Sequence, residues 1–138
     1  MKQIILFVLF LALMACGKKE WPQPIATEEA IFIDHIDARL DGNCLLINAK
    51  VGGKLHNLEF FMVEVEENGC PTCPFRATFV QKIYPYGSGV RQRENSYVIT
   101  LCQSFGSPNL RIRLKAENTL SIIDPAISDV VTLDAPSQ

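Results

Sequence analysis

The sequence has 138 residues and a formal net charge of −2, and 48% of its residues are hydrophobic. This length supports one domain with its own core and is short for two. Arginine is interspersed with acidic residues such as Glu94 and Glu117 and forms no basic run, which argues against nucleic-acid binding. The arginines in question are Arg91, Arg93, Arg111 and Arg113.

The N-terminus has the layout of a secretory signal peptide. Lys2 supplies a positive charge, an apolar run extends from Ile4 to Met14, and the small residue Ala15 precedes Cys16. A helix of this length spans only about 16 Å, well short of the roughly 30 Å hydrocarbon core of a bilayer. We therefore expect residues 1–15 to be a cleaved signal peptide rather than a transmembrane anchor.

The stretch Leu13-Met14-Ala15-Cys16 resembles the lipobox of bacterial lipoproteins. The resemblance implies cleavage before Cys16, a diacylglycerol on its sulfur and a third acyl chain on the new amino group. Two or more acyl chains hold a protein on a membrane stably. The alternative is an ordinary secretory signal followed by an incidental cysteine.

Cleavage at this position would remove 15 of the 138 residues, leaving 123, and the loss of Lys2 would change the net charge from −2 to −3. In Gram-negative lipoproteins an Asp after the cysteine favours the inner membrane. Gly17 stands there in this chain, so the resemblance favours the outer membrane, facing the periplasm. The expected partners are the membrane, through the lipid on Cys16, and an unidentified protein of the cell envelope.

After the cleavage site, residues 16–29 read as a tether whose Trp21-Pro22-Gln23-Pro24 favours an extended backbone. From residue 30 to 135 the pattern predicts an all-β domain, with short strands separated by turn signals such as Asp41-Gly42-Asn43. Seven strands at this spacing favour an antiparallel two-sheet sandwich. The predicted strands are Ala30–Leu40, Cys44–Val51, Leu58–Glu66, Arg76–Tyr84, Ser96–Cys102, Leu110–Glu117 and Asp129–Leu133.

The clearest strand alternates apolar with charged residues from Leu110 to Glu117, so it should have one buried and one polar face. Together with Asn118, Pro125 and the run Val130-Val131-Thr132-Leu133, this segment resembles the last two strands of a fibronectin type III domain. The resemblance covers about 24 residues and implies a fibronectin type III-like or immunoglobulin-like sandwich. The sequence departs from that family in having Leu110 at the tyrosine-corner position and no tryptophan in Cys44–Val51.

If Cys16 carries lipid, four cysteines remain, and in an exported chain an even number predicts disulfides. Four cysteines allow three pairings, and the sequence alone does not choose among them. The resemblance adds an expectation, because it places the strands Cys44–Val51 and Ser96–Cys102 side by side. It implies a bond between Cys44 and Cys102, both out of phase with the inward residues of their strands.

The remaining pair lies in the turn Cys70-Pro71-Thr72-Cys73, which has three interpretations. The first is a small Cys70–Cys73 ring that stiffens the turn. The second is a thiol-disulfide redox site, although such sites usually place the first Cys at a helix N-terminus and the following residues look like strand. The third is a metal site that would also need Cys44 and Cys102. We expect the ring, and we predict no metal and no cofactor.

Two further segments bear on function. Glu64, Glu66 and Glu67 alternate with an inward apolar set, Phe61, Val63 and Val65, and a solvated face is expected for them. On that outer face Phe60 and Met62 are unusual and could form a contact patch.

The loop from Tyr84 to Arg91 is rich in tyrosine, glycine and serine, a composition typical of adaptable contact loops, with Tyr84, Tyr86 and Arg91 as candidate contact residues. The alternative is a loop whose tyrosines pack back on the sheet. No motif of a serine hydrolase, zinc protease or phosphate-binding loop is present. The sequence therefore favours a non-catalytic, lipid-anchored domain used for protein contacts or envelope structure.

Overall fold

A computed structural model describes residues 27–133, which form two antiparallel β-sheets. The predicted signal peptide, Cys16 and most of the predicted tether lie outside the described residues. The first sheet has the strand order β1-β2-β6-β5. Its strands are β1 (Ile31–Asp41), β2 (Cys44–Gly53), β5 (Val90–Arg93) and β6 (Ser96–Cys102).

The second sheet has the order β4-β3-β7-β8, and β9 also pairs with β7. Its strands are β3 (Leu58–Glu67), β4 (Phe79–Ile83), β7 (Leu110–Asn118), β8 (Ala126–Ile127) and β9 (Val131–Leu133). Short 3-10 helices cover Thr27–Glu29 and Leu55–Asn57. No helix among residues 27–133 is both long and apolar enough to cross a membrane.

The two sheets face each other across one apolar core, because each strand buries alternate residues. The rings of Phe61 on β3 and Tyr97 on β6 meet edge to face with centroids 5.1 Å apart, which joins the two sheets. The inward sets predicted from alternation are confirmed in β2, β3, β6 and β7. Their buried members are Leu45, Ile47, Ala49, Val51, Phe61, Val63, Val65, Tyr97, Ile99, Leu101, Leu110, Ile112, Leu114 and Ala116.

The predicted count of seven strands is wrong for residues 27–133, where nine are found. One additional strand, β5, begins within the segment expected to be a loop. The predicted last strand, Asp129–Leu133, begins two residues later as β9, and β8 is a second additional strand before it. Between β8 and β9 the Ser128 hydroxyl accepts a hydrogen bond from the Leu114 amide at 2.9 Å. A side chain thus replaces a backbone acceptor, and the register against β7 shifts between the two short strands.

The fourth strand is also shorter than predicted and begins at Phe79 instead of Arg76. The hydroxyl of Thr78 accepts a hydrogen bond from the Glu67 amide at 3.1 Å and donates one to the Val65 carbonyl at 3.2 Å. The Thr78 amide still donates to the Val65 carbonyl at 2.8 Å, whereas the Glu67 amide is bound by a side chain in place of a backbone acceptor. The chain before Thr78 is consequently free to leave the sheet edge.

The described chain begins at one end of the two sheets, where β1 and β3 start and β7 ends; we call this the N-terminal end. Here the buried side chains of Asn57 and Asn118 both donate hydrogen bonds to the Glu29 carbonyl, at 3.1 and 3.0 Å. Asn57 also donates to the Glu29 carboxylate at 2.9 Å. The chain entering β1 is therefore held against the β2–β3 and β7–β8 connections.

Candidate functional site

The Cys44–Cys102 disulfide joins β2 to β6 on the outer face of the first sheet. The two residues are direct partners in the antiparallel register, and their Cα atoms are 3.9 Å apart. Their neighbours Leu45 and Leu101 point into the core, so both cysteines point outward, as expected. The pairing implied by the family resemblance is thus present.

The second disulfide, Cys70–Cys73, closes the turn in the β3–β4 connection. Both cysteines are exposed, and the Cys73 amide donates a hydrogen bond to the Cys70 carbonyl at 3.1 Å. The two disulfides lie on different sheets and do not converge. Within residues 27–133 no group of three or more His, Cys, Asp or Glu side chains is placed to hold a metal ion.

The Cys70–Cys73 turn is held against the outer face of the second sheet by Arg111 on β7. One guanidinium nitrogen of Arg111 donates to the Cys70 carbonyl at 2.9 Å, and another donates to the Cys73 carbonyl at 3.1 Å. The ring of Phe75 lies 4.5 Å from the guanidinium of Arg113 and 5.7 Å from that of Arg111. The connection therefore covers part of a face that the alternation pattern assigned to solvent.

Beneath this connection, ion pairs cross from β3 to β7. Glu66 pairs with Arg111 at 2.9 Å, and Glu64 pairs with Arg113 at 2.6 Å and with Lys115 at 2.8 Å. Glu64, Glu66 and Arg111 are each only 7% exposed. The expected solvated face for Glu64 and Glu66 is therefore wrong, since alternation assigns residues to a face but does not reveal that a loop covers it.

The charges in this cluster alter the acidity of Glu64. Burial alone raises the pKa of the Glu64 carboxyl. The hydrogen bonds from Lys115 and Arg113, and the positive charges of both, more than offset that effect, so its pKa lies below the ordinary value of 4.5. Glu64 is thus held as a carboxylate between two cations.

Gly69 allows the connection to approach the buried ion pair closely. A Cβ atom at this position would lie 2.6 Å from the Glu66 carboxyl carbon and 2.9 Å from Cδ of Arg111. Both distances are well below van der Waals contact. The glycine thus leaves room for the Glu66–Arg111 pair directly below the turn.

The predicted contact loop is only partly a loop. Tyr84 is 55% and Tyr86 87% exposed, whereas Pro85 between them is buried. Arg91 is an exposed member of β5, where it pairs with Val98 of β6, so its expected place in a flexible loop is wrong. Two backbone hydrogen bonds close the intervening turns. The Gly87 amide donates to the Tyr84 carbonyl at 2.9 Å, and the Val90 amide donates to the Gly87 carbonyl at 3.0 Å.

Tyr84 belongs to a cluster on the outer face of the second sheet. Its ring meets that of Phe60 edge to face, with centroids 6.2 Å apart, and Nζ of Lys82 lies 3.6 Å from the Phe60 centroid. Val80, two residues before Lys82 on β4, is 51% exposed. We call Phe60, Val80, Lys82 and Tyr84 the β3–β4 patch.

Sequence reasoning found Phe60 and Tyr84 separately but missed Val80 and Lys82. The signal was available in the alternation along β4 and the residue that follows it, because Val80, Lys82 and Tyr84 occupy every second position and so share one face. The other exposed tyrosine of the predicted loop, Tyr86, lies in the turn beyond β4.

Comparisons with known proteins give no match: the sequence fits no protein-family model and is similar to no curated protein and no solved structure at a significant level.

Proposed function

We propose that this protein is a lipid-anchored component of a bacterial cell envelope, held by acyl chains on Cys16, with a non-catalytic β-sandwich domain that makes protein contacts. The lipobox resemblance supports the anchor, and Gly17 favours the outer membrane with the domain in the periplasm. Two disulfides within one small domain suit an oxidising compartment.

The finer identity of the domain is part of this proposal. The strand order β1-β2-β6 in one sheet and β4-β3-β7 in the other supports a fibronectin type III-like or immunoglobulin-like arrangement. The additional strands β5, beside β6, and β8, beside β7, are departures from the seven-strand pattern.

The β3–β4 patch is the observation that best supports the proposed contact with another protein. Val80 on β4, an edge strand of the described sheet, and Tyr84, directly after β4, are each more than half exposed. Phe60 and Lys82 extend the same surface. An exposed tyrosine with an apolar body and a polar tip suits binding to another protein, because aromatic residues are enriched at interfaces. Tyr86, 87% exposed, follows two residues after Tyr84.

The anchor can be tested on purified protein, and the contact surface can be tested in cells. The intact mass without reductant should show a chain that begins at Cys16, carries three acyl chains and is four hydrogen atoms lighter than the all-thiol form, as two disulfides require. A photo-crosslinking residue at Tyr86 should yield a defined adduct in cells, whereas one at Asn43, at the opposite end of the sheets, should not. An unmodified N-terminus would contradict the proposed lipid anchor. Equal crosslinking at both positions would contradict the proposed contact surface.

The alternative function is thiol-disulfide exchange through Cys70-Pro71-Thr72-Cys73. The observation in its favour is that both cysteines are exposed and already joined in a disulfide next to the buried cation Arg111. Against it, the turn is followed by non-helical chain and then by β4, so the helix N-terminus typical of thiol-disulfide exchange sites is absent there.

A further inference from the structure

Large apolar side chains stay exposed at the N-terminal end of the two sheets. Phe32 on β1 is 52% exposed, and Leu120 and Ile122 in the β7–β8 connection are 38% and 67% exposed. Leu40, 42% exposed, lies at the opposite end of β1, about 26 Å from Phe32 at the usual rise per residue of a strand. We call these three residues at the N-terminal end the end patch; Phe32 belongs to the first sheet, and Leu120 and Ile122 belong to a connection of the second sheet.

The end patch is built on ordered chain. A Cβ atom on Gly52 would overlap the ring of Phe32, so the ring lies against the backbone at that glycine. In the β7–β8 connection the Leu120 amide donates to the Asn118 side chain at 2.8 Å, and the Ile123 amide donates to the Leu120 carbonyl at 3.0 Å. The apolar side chains are thus presented on fixed backbone, and no core residue covers them.

The position of Cys16 indicates what covers this end. Ten residues lie between Cys16 and Thr27, where the described chain begins, and the eleven Cα–Cα steps reach at most about 39 Å. Glu29 is fixed to Asn57 and Asn118 at the same end. An acylated Cys16 would therefore tether the domain to the bilayer by the end that carries the end patch. The β3–β4 patch reaches the same end at Phe60 and Tyr84, but it lies on the outer face of the second sheet.

The charges around the end patch are mixed. The exposed ionisable residues there include the cations Lys54 and Arg93 and the anions Glu28, Glu59, Glu94 and Asp124. Such a set gives no net attraction to anionic headgroups. Contact with lipid would therefore depend on apolar side chains entering the interfacial region, where amphipathic and apolar residues are favoured.

We propose that the end patch docks on the surface of the membrane to which the chain is anchored, so that Phe32, Leu120 and Ile122 enter the lipid interface. This inference rests on the proposed acylation of Cys16. It adds a fixed orientation of the domain: the N-terminal end lies against lipid, and the β1–β2 turn points away from it.

The experiment uses the full acylated protein in vesicles of phosphatidylcholine in which part of the lipid carries bromine on an acyl chain, a contact quencher of tryptophan. In a Trp21→Phe background, one variant carries Ile122→Trp and a matched variant carries Leu40→Trp. We expect quenching at position 122 to exceed that at position 40 by about threefold or more, with emission at shorter wavelength only at position 122. Replacing part of the lipid by phosphatidylglycerol should leave this contrast unchanged.

A third variant adds Phe32→Asp and Leu120→Asp to Ile122→Trp, and it should lose most of the quenching while keeping the far-UV circular dichroism of the parent. Equal quenching at positions 122 and 40 would overturn the proposal. So would short-wavelength but unquenched emission from position 122, which would mean that protein rather than lipid covers the patch. Retained quenching in the third variant would also overturn it, because the introduced tryptophan alone would then cause the contact.

Acylation of Cys16 is measured separately from tryptophan quenching. Flotation with the vesicles and the intact mass report whether Cys16 is acylated, whatever the tryptophan positions show. A protein that floats with equal quenching at both positions is anchored without docking, whereas one that neither floats nor carries acyl chains contradicts the proposed function itself.

Discussion

The guanidinium of Arg111 lies 2.9 Å from the Glu66 carboxylate on the outer face of the second sheet, and both residues are 7% exposed. Arg111 also supplies hydrogen bonds to the carbonyls of Cys70 and Cys73. One side chain thus satisfies a buried carboxylate and fixes the connection that covers it. The pairing of β3 with β7 therefore also determines where the exposed Cys70–Cys73 disulfide lies.

Arg111→Ala should lower the free energy of unfolding by about 3–5 kcal/mol, because it leaves Glu66 buried without its partner. The double variant Arg111→Leu, Glu66→Leu should recover most of that loss, since a buried ion pair can be replaced by apolar residues of similar volume at little cost. Urea denaturation of both variants is the measurement. Equal losses in the single and double variants would show that the carbonyl bonds of Arg111, rather than the unpaired Glu66, determine the effect.

The sequence was sufficient to predict most of the sheet structure, because each strand alternates strongly. The inward residues of β2, β3, β6 and β7 follow from a period of two, and so does the outward direction of Cys44 and Cys102. The predicted strand boundaries are wrong where a side chain replaces a backbone group in the hydrogen bonding between strands. Thr78 stands at the start of a shortened β4, and Ser128 separates β8 from β9. A local hydroxyl bond of this kind has no periodic signal.

The covered face of the second sheet could not be predicted for a different reason. Charged residues at alternate positions indicate only that they point away from the core, and whether a loop then covers them depends on long-range contacts. Arg111 and the Cys70 carbonyl it binds are 41 residues apart in sequence. The β3–β4 patch likewise joins residues from two strands, so Phe60 and Lys82 were not recognised as neighbours.

The two disulfides should differ in their effect on stability. Cys44 and Cys102 are 58 residues apart, whereas Cys70 and Cys73 are three apart. On the chain-entropy model the long loop contributes about 4 kcal/mol and the short one about 2 kcal/mol. Thermal unfolding of Cys44→Ala, Cys102→Ala should therefore show a melting temperature lower by roughly 15 °C or more. An unchanged melting temperature would contradict this assignment, and Cys70→Ala, Cys73→Ala serves as the matched comparison.

Acid should destabilise the protein partly through Glu64. Its pKa is lower in the folded chain than its ordinary value of 4.5, so the folded state binds this proton more weakly than the unfolded state. The contribution is complete above the unfolded pKa and is lost as the pH falls through the folded pKa. Glu64→Gln should lower stability by about 1–2 kcal/mol at neutral pH, and the difference from wild type should shrink below pH 4.5. Chemical denaturation at several pH values tests this, and a pH-independent difference would contradict it.

The redox alternative makes a separate prediction about Cys70 and Cys73. If the turn is structural, the protein should reduce insulin disulfides in the presence of dithiothreitol no faster than its Cys70→Ala, Cys73→Ala variant does. The physical reason is that no helix N-terminus is present at the turn to stabilise a thiolate. A rate clearly above that of the variant would favour thiol-disulfide exchange over the contact role.

The β3–β4 patch should be more important for binding than for stability. Tyr84 is 55% exposed and touches Phe60 only at the ring edge, and exposed cation–π and aromatic pairs contribute about 0.5–1 kcal/mol. Tyr84→Ala should therefore lower the free energy of unfolding by less than about 1 kcal/mol, yet reduce photo-crosslinking from Tyr86 several-fold, because interface tyrosines often dominate binding energy. Ile127→Ala is the matched control, since Ile127 is equally exposed, at 54%, and lies outside the patch. Loss of crosslinking in both variants would mean that the binding surface extends across the sheet to β8, and unchanged crosslinking in Tyr84→Ala would place the partner elsewhere.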